Sequence, residues 1–202
     1  MVVLFTVWGY DVTALEFASV ILALIAIGLG IRGTRWTWPF YFAASLLYGW
    51  LFIHVDLFAS AAMQTIFMVA ALWGWFAWGR EGVRVPGRLT PSRRITGVVG
   101  AVVLWALLAP LLQRIGGVAT YGDAFMLVGS MAGQLLMVRQ KVEAWAVWGV
   151  VNLVGVLLYA SQGLYFTSLF YGVLVAMAAT GWRQWSARAA ARDDESPTVA
   201  HA

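Results

Sequence analysis

WAVWGVVNLVGVLLY, residues 145–159, is apolar at nearly every position and holds one amide, Asn152, near its middle. An amide moved into hydrocarbon without a partner costs on the order of several kcal/mol, so its presence calls for a reason. Trp145, Trp148 and Asn152 stand at i, i+3 and i+7, which places two indoles and the amide on one helix face. A helix of this composition crosses a membrane or lies in a large core, and the flanking sequence decides between them.

Of 202 residues, 62% are hydrophobic and 11% charged, against about half and about a quarter in soluble domains. Mean hydropathy is +0.80. These values predict an all-α integral membrane protein. Without cysteine there are no disulfides and no thiolate metal sites, and two histidines leave little for a metal, so no cofactor is expected. The pI near 9.8 comes from basic residues lying between apolar runs, a pattern of membrane topology rather than of nucleic-acid binding. The opening MVVLFTVWGYD lacks a basic leading region, so no cleavable signal peptide is expected.

Apolar runs predict seven transmembrane helices near 13–31, 38–54, 57–79, 95–113, 122–138, 144–161 and 164–185. With that count, twelve of the thirteen Lys and Arg residues fall on one side and only Arg114 on the other. The positive-inside rule then puts the N-terminus outside and the C-terminus in the cytoplasm. The loop EGVRVPGRLTPSRR, 81–94, reads as a basic cytoplasmic linker whose arginines meet anionic lipid heads. The tail from Ala187 reads as disordered.

Displaced by 107 residues, the sequence comes into register with itself. Arg32 meets Arg139, Trp38 meets Trp145, Ser45 meets Asn152, and Gln64 meets Tyr171. Gly74, Trp75 and Trp78 meet Gly181, Trp182 and Trp185, and Glu16 meets Asp123. Spans one to three therefore repeat as spans five to seven, and one linking span makes the copies parallel, an architecture of transporters. The expected organisation is a first repeat at 1–80, loop and linker helix at 81–121, a second repeat at 122–186, and a tail at 187–202.

Polar side chains inside spans are the candidates for chemistry: Gln64, Ser130, Gln134 and Asn152. Each could bind a ligand or hydrogen-bond neighbouring helices together. Trp75, Trp78, Trp182 and Trp185 end spans beside arginines, as an interfacial aromatic belt would. Thr13-Ala-Leu-Glu16 is a capping box and Thr120-Tyr-Gly-Asp123 resembles one, which accounts for both acids. His54 and Asp56 fall in a short outer turn. The only lysine, Lys141, lies in a loop, so a retinal Schiff base is excluded. No span carries an acid near its middle, which favours downhill transport over ion coupling, and no reactive cluster suggests an enzyme.

WPFYFAASLLYGWLF (38–52), LWGWFAW (72–78), EAWAVWGVVNLVGVLLYASQGLY (143–165) and GWRQW (181–185) together resemble the PnuC-type nicotinamide riboside transporters, from about Leu15 to Trp185. That resemblance implies a three-plus-one-plus-three fold similar to the SWEET sugar transporters, and a homotrimer in the bacterial inner membrane. It also implies vitamin uptake by facilitated diffusion and trapping by a separate cytoplasmic kinase. It assigns substrate contacts to Trp145, Trp148 and Asn152, and to Gln134 and Gln64; Tyr171, the match of Gln64 at the 107-residue offset, and Tyr48 are further candidate contacts. One departure is Trp38-Pro39-Phe40-Tyr41, where relatives have a glycine at the fourth position. A thiamine or riboflavin carrier on the same scaffold, or a membrane subunit that binds without transporting, are the alternatives.

Overall fold

The computed structural model describes residues 2–7, 9–54, 58–82, 85–114, 120–161, 163 and 165–195. Asp56, the side chain of Asp123 and the segment 196–202 lie outside the described residues. Among those described, seven helices follow a short hairpin of β1 (Val3–Val7) and β2 (Tyr10–Thr13). They are α1 (Ala14–Arg32), α2 (Thr37–His54), α3 (Phe58–Ala77), α4 (Pro91–Arg114), α5 (Thr120–Val138), α6 (Glu143–Ser161) and α7 (Tyr165–Glu195). Helix α1, Pro91–Leu111 and α6 are long and apolar enough to cross a membrane.

Two elements differ from expectation. The hairpin was not foreseen; it pairs antiparallel from Val3 with Thr13 to Val7 with Tyr10, and Gly9 sits at φ 79°. Alternating Val, Phe and Tyr favour strands, and glycine takes that φ without strain. The tail is corrected at its start: α7 runs on to Glu195. Its continuation SARAAAR is rich in alanine and arginine, both strong helix formers.

The chain divides into two compact units, Met1–Arg84 and Val85–Ala202. In the first, α2 packs against both α1 and α3. In the second, α6 packs against both α5 and α7, and α4 packs against α5. Apolar side chains lie on the exterior, as a lipid-facing surface requires: Phe17, Ile21 and Ile25 on α1, and Val150, Leu153 and Leu157 on α6.

The turn between α1 and α2 recurs 107 residues later, between α5 and α6, in hydrogen-bond detail. Helix α1 ends with Gly33 N–H donating to the Gly30 carbonyl (2.9 Å) and Thr34 N–H to that of Leu29 (3.1 Å). Helix α5 ends with Gln140 N–H donating to Met137 (3.0 Å) and Lys141 N–H to Leu136 (2.9 Å). Both are Schellman caps, whose pivot takes a left-handed backbone. Gly33 has φ 75°; Gln140, at 56°, is the described non-glycine residue with positive φ. In the first unit Thr37 Oγ1 also donates to the Ala26 carbonyl (2.7 Å), tying α2 to α1.

Helix α2 then lays an indole on bare backbone of α3, and α6 lays one on bare backbone of α7. A Cβ at Gly74 would fall 2.2 Å from Trp38 Cε2, and one at Gly181 would fall 2.4 Å from Trp145 Cδ2. Each ring meets a second indole edge-on, Trp38 with Trp78 at 5.0 Å and 84°, Trp145 with Trp185 at 5.6 Å and 86°. Trp78 and Trp185 are 3% and 0% exposed, so they belong to the interior and not to an interfacial belt.

A strap before α4 closes the second unit. Gly87 N–H donates to the Gln140 carbonyl (2.9 Å), and Val142 N–H donates back to Gly87 (3.0 Å). Glu143 Oε1 accepts from Leu89 N–H (3.0 Å) and pairs with Arg94 (2.8 Å). Arg88 donates to the Ser186 carbonyl of α7 (3.3 Å). Arg88 and Arg94 of the basic loop thus have partners within the second unit.

Gln140→Gly relieves the left-handed strain and raises stability by about 0.5–1 kcal/mol, read as a higher Tm in detergent. Gly181→Ala drives a methyl into the Trp145 ring and lowers stability by about 1–3 kcal/mol in the same assay.

Candidate functional site

Helix α6 presents Trp148, Asn152, Gly155 and Tyr159 at i, i+4, i+7 and i+11, one stripe along its length. It can approach α5 closely because α5 is bare where they touch. A Cβ at Gly129 would lie 2.4 Å from Val151 Cγ2, and one at Gly133 would lie 3.0 Å from Trp148 Nε1. The Trp148 indole thus rests on α5 backbone, immediately before Gln134.

Polar groups concentrate here. Gln134 is 3% exposed, Asn152 6% and Ser130 7%. Two buried donors, Gln134 Nε2 and Trp148 Nε1, find no hydrogen-bond partner among the described residues. A buried donor left unpaired costs about 1–3 kcal/mol, which makes such groups uncommon unless a ligand or water completes them. The arrangement can donate to a carbonyl, ring nitrogen or hydroxyl, while the Asn152 amide can both donate and accept. Among the described residues, no carboxylate stands with Gln134, Trp148 and Asn152 to hold a cation firmly.

The residues singled out in sequence do not all meet. Gln134, Trp148 and Asn152 lie on packed faces of α5 and α6. Tyr171 comes from α7, and its ring lies on α6 where a Cβ at Gly155 would be 2.2 Å from Cδ1. Trp145 is engaged elsewhere, on Gly181 and Trp185, although its Nε1 is also buried without a partner. In the first unit, Tyr48 stacks on Phe52 at 5.8 Å and 21°. Gln64 lies beside α2, its Cβ 3.4 Å from where a Gly49 Cβ would be. Both side chains are half-buried.

Sequence reasoning missed Gly133, Gly155 and Tyr159. The last two were findable, since they continue the Trp148–Asn152 stripe by whole turns. Of the other candidates, Thr13 Oγ1 caps α1 by accepting from Glu16 N–H (3.2 Å). The Glu16 carboxylate does not close the box but accepts from the Tyr10 hydroxyl (2.7 Å). His54 is exposed, its Nδ1 bonded to the Trp50 carbonyl (2.9 Å). Arg35 lies over the Trp75 ring at 3.4 Å, which gives that indole a partner of its own.

Residues 13–187 match the family described as nicotinamide mononucleotide transporter. The chain is 27% identical to the nicotinamide riboside transporter PnuC of Escherichia coli, over 88% of this chain and 87% of the relative. It is 31% identical to the riboflavin/roseoflavin transporter RibM of Streptomyces davaonensis, over 89% and 86%. The crystal structure of the vitamin B3 transporter PnuC superposes with a TM-score of 0.73 at 19% identity, over 87% of this chain and 81% of that one. These relatives are named as transporters, and the shared fold is that of an integral membrane helical protein. With a match spanning nearly its whole length, this chain belongs to the PnuC-type nicotinamide mononucleotide transporter family.

Proposed function

We propose that the chain takes up nicotinamide riboside across the bacterial cytoplasmic membrane, by facilitated diffusion with alternating access. The observation that carries this reading is the pair of buried donors without a partner among the described residues, Gln134 Nε2 on α5 and Trp148 Nε1 on α6, the helix that carries Asn152. Nicotinamide riboside brings a carboxamide and ribose hydroxyls to such groups, and its pyridinium cation suits an indole face. That attraction contributes about 0.5–2 kcal/mol when desolvated. Neutral partners let the cation leave again. Among described residues, the buried polar side chains of α5–α7 include no arginine, so a product phosphorylated by a separate kinase would lose affinity.

The supporting architecture is two parallel three-helix repeats around a linker helix, N-terminus outside, similar to the SWEET arrangement. The recurrence of the Schellman turn and of the indole-on-glycine contact at one offset supports the repeat. The exposed apolar face of α4, with Val98, Val102, Leu107 and Leu111, suits a homotrimer contact. Trp145, Tyr48, Gln64 and Tyr171 stand as further substrate contacts in this reading.

Riboflavin is the second reading, favoured by the 31% identity to a riboflavin/roseoflavin transporter. Its ring carbonyls could take the same two donors without any need for charge.

Calorimetric titration of nicotinamide riboside, thiamine and riboflavin into wild type and Asn152→Ala separates these readings. Binding of nicotinamide riboside alone, weakened at least tenfold (about 1.4 kcal/mol) by the substitution, is the expected result. Preference for riboflavin or thiamine replaces the substrate, and binding without flux in proteoliposomes replaces transport.

A further inference from the structure

The 107-residue register pairs Ser45 with Asn152, Tyr48 with Gly155, Phe52 with Tyr159 and Gln64 with Tyr171. Ser45 and Asn152 are buried, at 4% and 6% exposure, on the middle helix of their units. Three residues further along, one turn on, the two units do opposite things. In the first, the middle helix itself carries the ring, and Tyr48 stacks on Phe52. In the second, that position is Gly155, and the ring arrives from α7 as Tyr171, lying where a side chain of residue 155 would be. Tyr171 meets Tyr159 at 5.0 Å and 41°, in place of the Tyr48–Phe52 stack. The tyrosine and its supporting helix have exchanged places, yet each unit keeps an aromatic pair beyond its buried polar residue.

Nothing in helix packing alone requires that pair to survive the exchange. A large side chain at 155 with a small one at 171 would fill the same volume. What both arrangements share is a flat ring at the level of the position three residues after the polar group, about one helical turn along the axis. Resting on the transport function proposed above, we infer that Tyr171, positioned by Gly155 and flanked by Tyr159, determines specificity. It limits the length of a planar ligand held at Asn152. A single-ring ligand fits between amide and phenol, and a fused three-ring ligand meets the tyrosine.

The test is the ratio of riboflavin to nicotinamide riboside affinity, measured by calorimetry on full-length protein. Tyr171→Ala is expected to raise that ratio at least tenfold, and Tyr159→Ala to raise it less. Gly155→Ala pushes the ring from its place and is expected to shift the ratio when Tyr171 is present. Added to Tyr171→Ala it should change the ratio by no more than about twofold, the non-additivity of residues in contact. A ratio that stays constant across all variants, whatever happens to Tm, reduces Tyr171 to a packing residue and overturns the inference. Wild-type preference for riboflavin defeats the nicotinamide riboside reading, yet a ratio that moves with Tyr171 still upholds that tyrosine as the determinant of specificity. Binding of neither ligand by wild type overturns both.

Discussion

One indole pressed onto one bare stretch of helix holds each unit together. In a lipid-exposed bundle the hydrophobic effect gives helices little reason to prefer one another over lipid, so contact must come from close packing. Glycine at 74 and at 181 removes the one atom that would keep the helices apart, and Trp38 and Trp145 fill the gap with a broad flat surface. Trp78 and Trp185 then close over those rings edge-on, the geometry that aromatic quadrupoles favour. Ser45 and Asn152 follow their indoles by seven residues, two turns along the same face. The contact that joins the helices therefore also sets the depth at which each polar residue is buried.

The same logic of missing side chains runs through the second unit. Helix α5 meets α6 through glycines, so Trp148 lies against backbone and its N–H is left without an acceptor beside Gln134. A site assembled from indoles and amides has no formal charge to match. Its selectivity must then come from shape and from the count of donors and acceptors. Relatives named for nicotinamide riboside and for riboflavin match this chain over similar extents, which agrees with a scaffold whose polar groups do not dictate one ligand.

Helix positions, apart from the far end of α7, were readable within a few residues because arginines, turns and apolar runs mark them directly. The repeat was readable because tryptophans are rare enough to align. The interior role of Trp78 and Trp185 was not, since a tryptophan beside arginines at a span's end looks alike whether it faces headgroups or a neighbouring helix. Only the glycine four residues before each one distinguishes the cases, and that pattern has meaning once the helices are in contact. Gln140 hid its left-handed turn because glutamine carries no such preference; the copy at Gly33 held the clue. Asn152, Gln134 and Trp148 stood out as polar or aromatic groups on apolar helices. Gly155 did not, because its part is to be absent where Tyr171 lies.

The strap at 87–94 has a consequence for how the protein is made. Leu89 finds its acceptor on Glu143, 54 residues later, and Arg88 finds Ser186, 98 residues later. At about 5–20 residues per second, the ribosome delivers those partners seconds after the strap itself has emerged. During that interval α4 is held at its N-terminal end by none of these bonds. The second unit is thus completed backwards, its first segment locked only when its last helix is nearly finished, whereas the indole-on-glycine contact of the first unit is available as soon as Trp78 has been added.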